Sequence, residues 1–222
     1  MTKEIAVIGL GQFGGNAVKQ LHKLAADVTV IDINEDKVQD YEDYAVECIV
    51  GSATDEKMFK TIGIEHYDEV IIAIGEDIQT SILSTLILKE LGVERITAKA
   101  QDNYHAELLR KVGANNILQP ETEMGIRLAN QLINMSIVDY MEISDDTAIV
   151  EYDANDIFIN TALIDLGLRE KFGLNVVAVK RNKEVLVPPD PQMSILKNDV
   201  LVIIGKIKNL NRFESKIIKP KT

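Results

Sequence analysis

The sequence is poor in the side chains on which most enzyme chemistry depends. It has one cysteine and three histidines in 222 residues. Cys48 sits inside the apolar stretch 46–50, where a small core residue is expected rather than a redox or nucleophilic thiol. His22, His66 and His105 are widely spaced; the first lies on a helix and the second in a polar turn, where both are expected to be solvated. No His/Cys cluster has metal-ligand spacing, and no serine or cysteine triad is suggested, so catalysis is not supported. Positive charge is also short: 24 Lys and Arg face 35 Asp and Glu, a net charge of −11. Such a surface repels nucleic-acid backbones and anionic lipid headgroups, so work at a membrane would need another protein as the holder. No apolar run reaches the roughly 18 residues of a membrane span. The strand-like run begins right after Met1-Thr2-Lys3-Glu4, with no room for a signal peptide. An intracellular, cytoplasmic protein is expected.

What is present is apolar material in two textures. Hydrophobic residues make up 46% of the chain, enough for a packed core. Up to residue 118, short β-branched runs alternate with longer amphipathic stretches. Strands are predicted at 5–8, 28–31, 47–50, 70–73, 96–99 and 116–118. A helix carries Ile82, Leu83, Leu86, Ile87 and Leu91 and ends at Gly92. Asp55 precedes another, and Asp102 or Asn103 caps a third. This alternation is that of βαβ units, an α/β fold with a Rossmann-type, doubly wound parallel sheet. After Pro120 a long helix is expected over 121–134, with Met124, Leu128 and Leu132 on its apolar side. Beyond it the runs take an antiparallel character, with a hairpin turn at Asn182-Lys183, a buried strand over 200–204 and a short helix over 209–215. The expected division is a nucleotide-binding domain over 1–134 and a smaller α+β lobe over 135–222.

The sharpest local signal is Gly9-Leu10-Gly11-Gln12-Phe13-Gly14. Alone the GxGxxG pattern is weak, but here it follows a strand, opens a helix and precedes Asp32 at the end of the second strand. Gly9 permits the turn, Gly11 lets backbone approach a phosphate and Gly14 lets the helix pack close to the sheet. The exposed N–H groups of that helix start favour an anion. Asp32 can accept bonds from ribose hydroxyls and repels a 2′-phosphate, which argues against NADP. Ile33-Asn34 follows on the adenine side, and Ala73-Ile74-Gly75 lies at the same sheet edge. Lys99 can neutralise phosphate; the alternative is a solvated surface lysine. The alternative for the loop itself is a glycine turn with no ligand.

These residues, in this order, resemble the RCK or KTN (TrkA-like) family of cytosolic gating subunits of potassium transporters and channels, closest to the detached subunit of bacterial Ktr systems. The resemblance runs through residues 6–15, Asp32-Ile33-Asn34, Gly51-Ser52-Ala53-Thr54-Asp55, residues 70–75 and 82–86, Lys99-Ala100-Gln101 and Ile117–Glu121, and in the second lobe through Ile164-Asp165-Leu166, Arg169, Lys171-Phe172-Gly173 and residues 199–205. It implies a homodimer assembling into an octameric ring beneath a membrane potassium-transporting subunit. ATP or ADP would occupy the first lobe, held by the glycine loop, Asp32, Asn34, Ala53, Thr54 and Lys99; NAD or NADH binds some relatives. Glu121 resembles a dimer-interface carboxylate that helps bind a divalent or monovalent cation, the alternative being a helix-start acid favoured by the dipole. In the second lobe Ile164, Arg169, Phe172, Asn175, Val176, Val177, Ala178 and Pro191 match a cyclic di-AMP pattern. A twofold ligand suits an isologous dimer, with Arg169 for phosphate and Asn175 for hydrogen bonding; the apolar members otherwise read as core.

Two positions depart from the family pattern. Gln12 stands where many Ktr subunits carry an arginine that reaches terminal phosphate, which puts preference for ATP over ADP in question. Ser52 replaces an aspartate common in that motif. Two other functions remain open: an NAD(H)-binding oxidoreductase, for which no acid–base pair is evident, and a nucleotide sensor serving a different partner.

Overall fold

The computed structural model of the protein describes residues 2–133, 137–154 and 158–218. Two compact units divide between Thr122 and Glu123. The boundary expected between residues 134 and 135 lies outside the described residues, as does Asn134, the expected last residue of the long helix.

All six strands anticipated in the first unit form: β1 (Glu4–Ile8), β2 (Asp27–Asp32), β3 (Glu47–Val50), β4 (Glu69–Ile72), β5 (Ile96–Lys99) and β6 (Asn116–Leu118). They pair in parallel in the order β3-β2-β1-β4-β5-β6. Successive side chains of a strand point to opposite faces, so a sheet covered on both sides needs nearly continuous apolar strands. In β1, Ile5 and Val7 join one core with Val18 of α1 (Gln12–Lys23) and Val38 of α2 (Glu35–Gln39). Ala6 and Ile8 join the other, with Phe59 of α3 (Glu56–Thr61), Leu88 of α4 (Ile78–Glu90) and Leu109 of α5 (Asn103–Val112). Cys48 packs half-buried against the first of these cores. Burial and the nearby Glu42 and Glu47 push its thiol pKa up, which leaves it unreactive.

Side chains cap α2 to α5. Asn34 accepts from the Lys37 amide, Asp55 from Lys57 and Met58, Asp77 from Thr80, and Asp102 from His105. Each satisfies amides that a helix start otherwise leaves open. Gly11, which precedes α1, provides no such cap.

The second unit takes in most of α6 (Pro120–Ile133), whose Met124, Leu128 and Leu132 are 55%, 54% and 70% exposed. Its sheet is antiparallel in the order β10-β9-β11-β8-β7. The strands are β7 (Ile137–Ser144), β8 (Thr147–Asp153), β9 (Asn175–Arg181), β10 (Glu184–Leu186) and β11 (Val200–Lys206). The expected hairpin is β9–β10, with Asn182 in the left-handed region at φ 56°. The β7–β8 hairpin was not among the expected elements. Its turn is tied by Asp146, which accepts from Thr147 Oγ1 at 2.6 Å and Lys206 Nζ at 2.9 Å. Two short helices complete the unit, α7 (Leu168–Phe172) and α8 (Ile207–Phe213). Phe213 is the centre of its core: Tyr152 and Phe172 meet it edge-on at 5.5 Å and Phe158 stacks at 6.0 Å. Three of the five phenylalanines thus serve one cluster, giving a small unit a large apolar area per residue.

Asp199, 1% exposed, is held by a fork from Arg181: Nε to Oδ1 at 2.9 Å and Nη2 to Oδ2 at 2.7 Å. The Leu196 amide adds a third bond at 2.8 Å. Burial pushes this carboxyl up, but the bonds from Arg181 and Leu196 outweigh it and hold it below the ordinary carboxylate range. Because the folded pKa is depressed, the stabilisation is fully present above the unfolded value, about 3.9, and is lost as pH falls through the lower folded value. Asp199→Ala leaves the Arg181 side chain, among the described residues, with only the Ser194 carbonyl, and the Leu196 amide without its acceptor. It is expected to cost about 3 kcal/mol, read as a lower melting temperature by calorimetry at neutral pH. An unchanged temperature would mean that the pair anchors nothing.

Candidate nucleotide site

Strand order reverses between β1 and β4, both parallel neighbours with helices on opposite faces. At such a switch point the loops leaving the carboxyl ends part and open a crevice. The glycine loop stands there. Gly9, at φ 95°, turns the chain out of β1, and its amide donates to the Ile31 carbonyl at 2.8 Å. A Cβ on Gly9 would press on Ile74 and on the Ala73 backbone at 3.1–3.3 Å. Gly11 faces open space, so its backbone is accessible to a ligand. A Cβ on Gly14 would overlap the Gly9 carbonyl oxygen and come 2.9 Å from the Ala73 Cβ. Gly9 and Gly14 therefore meet steric demands that only glycine satisfies.

Asp32 fixes this loop. Its Oδ2 accepts from the Leu10 amide at 2.7 Å and its Oδ1 from the Asn34 amide at 2.9 Å. The carboxylate retains further lone pairs for a ribose. Asn34 is differently placed from expectation: its side-chain oxygen caps α2 at 3.1 Å from the Lys37 amide, so that atom is already engaged. Ile33 is 76% exposed, an apolar surface beside Asp32. Gln12 is exposed and Phe13 half-buried at the start of α1. Ala53 is buried, and Thr54 pairs its hydroxyl with that of Ser52 at 2.9 Å, so the serine substitution keeps the turn before α3 braced.

Ala73, Ile74 and Gly75 follow β4 along the same edge. Lys99, whose side chain is only 15% exposed, is not a solvated lysine: it donates to Glu121 Oε1 at 2.6 Å. The Lys99 bond holds the Glu121 carboxyl below its usual range. Among the described residues no group of three or more His, Cys, Asp and Glu could hold a metal ion. One position escaped the sequence reading: Gly15, where a Cβ would overlap the Tyr41 hydroxyl, so the doubled glycine seats α1 against α2's exit as well as against the loop. The doubling itself was the available signal.

The predicted cyclic di-AMP residues separate by burial. Phe172 and Ala178 are buried, and Phe172 and half-buried Val176 join the second core, as expected of core residues. Ile164, Arg169, Asn175, Val177 and Pro191 are exposed. Ile164 and Pro191 adjoin, through an amide-to-carbonyl bond of 2.8 Å. Arg169 has no ion-pair partner among the described residues.

Residues 5–120 match the TrkA-N domain and residues 148–218 the TrkA-C domain. The chain belongs to the RCK (TrkA) family. It is 45% identical over 221 residues to Ktr system potassium uptake protein C of Bacillus subtilis, with 100% of each chain covered. To Ktr system potassium uptake protein A of the same organism it is 41% identical over 213 residues, 96% of each chain. Among solved structures the GsuK channel is similar at a TM-score of 0.72 and 20% identity, over 96% of this chain and 39% of that one, a likeness of RCK fold.

Gly14→Ala tests the packing on which this RCK crevice depends. The added methyl has backbone and Ala73 against it, and a loss of about 1–3 kcal/mol is expected. Calorimetric melting reads it, and an unaltered temperature would show the loop to be looser than described.

Proposed function

We propose that the chain is a regulatory subunit of a membrane potassium-uptake system that senses adenine nucleotides in the crevice between β1 and β4. The observation that carries this reading is the uncapped start of α1. Its amides have no side-chain partner, whereas the starts of α2 to α5 each receive one. Open amides at the positive end of a helix dipole favour a phosphate chain, and Asp32, bonded to the Leu10 amide of the same loop, presents an acceptor for ribose. ATP and ADP are the proposed ligands, with NAD or NADH accommodated by the same parts. Gln12 can donate a hydrogen bond but adds no charge, so discrimination between ATP and ADP is expected to be weak.

The role is regulatory rather than catalytic, in keeping with relatives that are potassium uptake proteins. No helix among the described residues is long and apolar enough to cross a membrane. We place the protein in the cytoplasm, held at the inner face of the membrane by its transporting partner. Exposed Met124, Leu128 and Leu132 on α6, and Leu83 and Leu86 on α4, are surfaces suited to further copies of the chain, consistent with dimers building an octameric ring. The exposed set Ile164, Arg169, Asn175, Val177 and Pro191 is proposed for cyclic di-AMP. Glu121 is bound to Lys99, so a cation there would have to compete with it.

Isothermal titration of the purified chain with ATP, ADP, NADH and cyclic di-AMP tests the proposal. Binding of ATP or ADP is expected, and no binding by any adenine ligand would defeat it. Asp32→Ala should weaken ATP and ADP by roughly 1.5–3 kcal/mol, through loss of a charge-assisted bond; unchanged affinity would put the ribose elsewhere. Arg169→Ala should weaken cyclic di-AMP alone. Joint loss of both ligands would contradict two independent sites.

A further inference from the structure

At the carboxyl edge of the sheet, the Lys99 ammonium that borders the crevice is already bonded to Glu121. Ile74 borders Gly9, and the next residue, Gly75, borders the Lys99 side chain: a Cβ there would lie 3.0 Å from Nζ. From this lane beside Gly75 the ammonium donates to Glu121 Oε1 at 2.6 Å. The two partners differ in setting. Lys99 is 15% exposed and hemmed in by its neighbours, while Glu121 is 66% exposed in the first turn of α6. The carboxylate can therefore leave into water at little cost, but the ammonium cannot follow it. A phosphate reaching Nζ would stand within about 5 Å of the carboxylate, and two anions at that distance repel.

We propose that Glu121 is an internal competitor for the phosphate-binding lysine: the phosphate chain of a nucleotide and the Glu121 carboxylate contend for Lys99, and binding frees the first turn of α6. The inference rests on the nucleotide reading of the crevice and adds a regulation to it. α6 is the helix that carries the chain across the division at Thr122, so its first turn changes partner when the crevice fills. Glu121 acts as a self-supplied anion that holds the empty form, and it lowers nucleotide affinity in proportion to the strength of its bond to Lys99.

Titration calorimetry of ADP and adenosine into the full chain, with EDTA present so that no divalent ion bridges phosphate and carboxylate, provides the test. E121Q is isosteric at an exposed position, and loss of the ion pair should lower the melting temperature of the empty protein only slightly. It is expected to bind ADP about fivefold more tightly, the scale of one modest ion pair, with adenosine, which lacks phosphate, unaffected. In a K99Q background, which itself weakens ADP, the E121Q gain should vanish. Unchanged or weaker ADP binding by E121Q overturns the proposal. So does an equal gain in the K99Q background, which would mean that Glu121 acts by its field on the ligand and not through Lys99. If wild type and every variant fail to bind ADP and ATP, the nucleotide reading falls and takes this proposal with it, an outcome separate from normal binding that is insensitive to Glu121.

Discussion

A single carboxylate stitches the first unit together at its working edge. Asp32 ends β2, yet its two oxygens take amides from Leu10, on the loop after β1, and from Asn34, at the start of α2. Charge-assisted bonds of this type are short and directional, so the glycine loop is set before any ligand arrives. The placement of α1 follows from that loop, because Gly14 lies against the Gly9 carbonyl and admits no side chain. The open amides of α1, the approach to Gly11 and the line through Ile74 and Gly75 to Lys99 all inherit their positions from this brace. A loop braced in this way loses little conformational entropy on binding.

The first unit was readable from the chain because its inner strands β1, β2 and β5 are buried on both faces, while α1 and α5 bury one side only. The two periods differ sharply there, and punctuation by Gly92, Asp55 and Asp102 is strong. The loop was readable for a related reason: glycine is required by the geometry at Gly9 and Gly14 whether or not a ligand is present. Pairings between distant segments were not readable. Lys99 and Glu121 are 22 positions apart and meet only because β5 and the start of α6 end at one edge. Nor does a motif reveal that the Asn34 side chain already caps a helix.

In the second unit the missed hairpin has a physical explanation. β8 does alternate, with Ala148, Val150 and Tyr152 buried, but β7 turns Val138, Met141 and Ile143 outward, so its apolar residues do not mark an inner face. The pairing also carries two register shifts, which blur any strict period. Burial likewise sorts the proposed cyclic di-AMP residues: Phe172 and Ala178 serve the core, and the exposed Arg169 and Asn175 are what distinguish a ligand surface from ordinary packing.

The ring cluster around Phe213 sets an order of events. The parallel unit takes its last core residue from Ile117, so it can close once that stretch has left the ribosome. The antiparallel unit lacks its hub until residue 213 has been made, because Tyr152, Phe158 and Phe172 all converge on that ring. During synthesis the crevice between β1 and β4 can therefore form while its neighbour is still an open chain. The integrity of the later unit thus hangs on the last ring of α8.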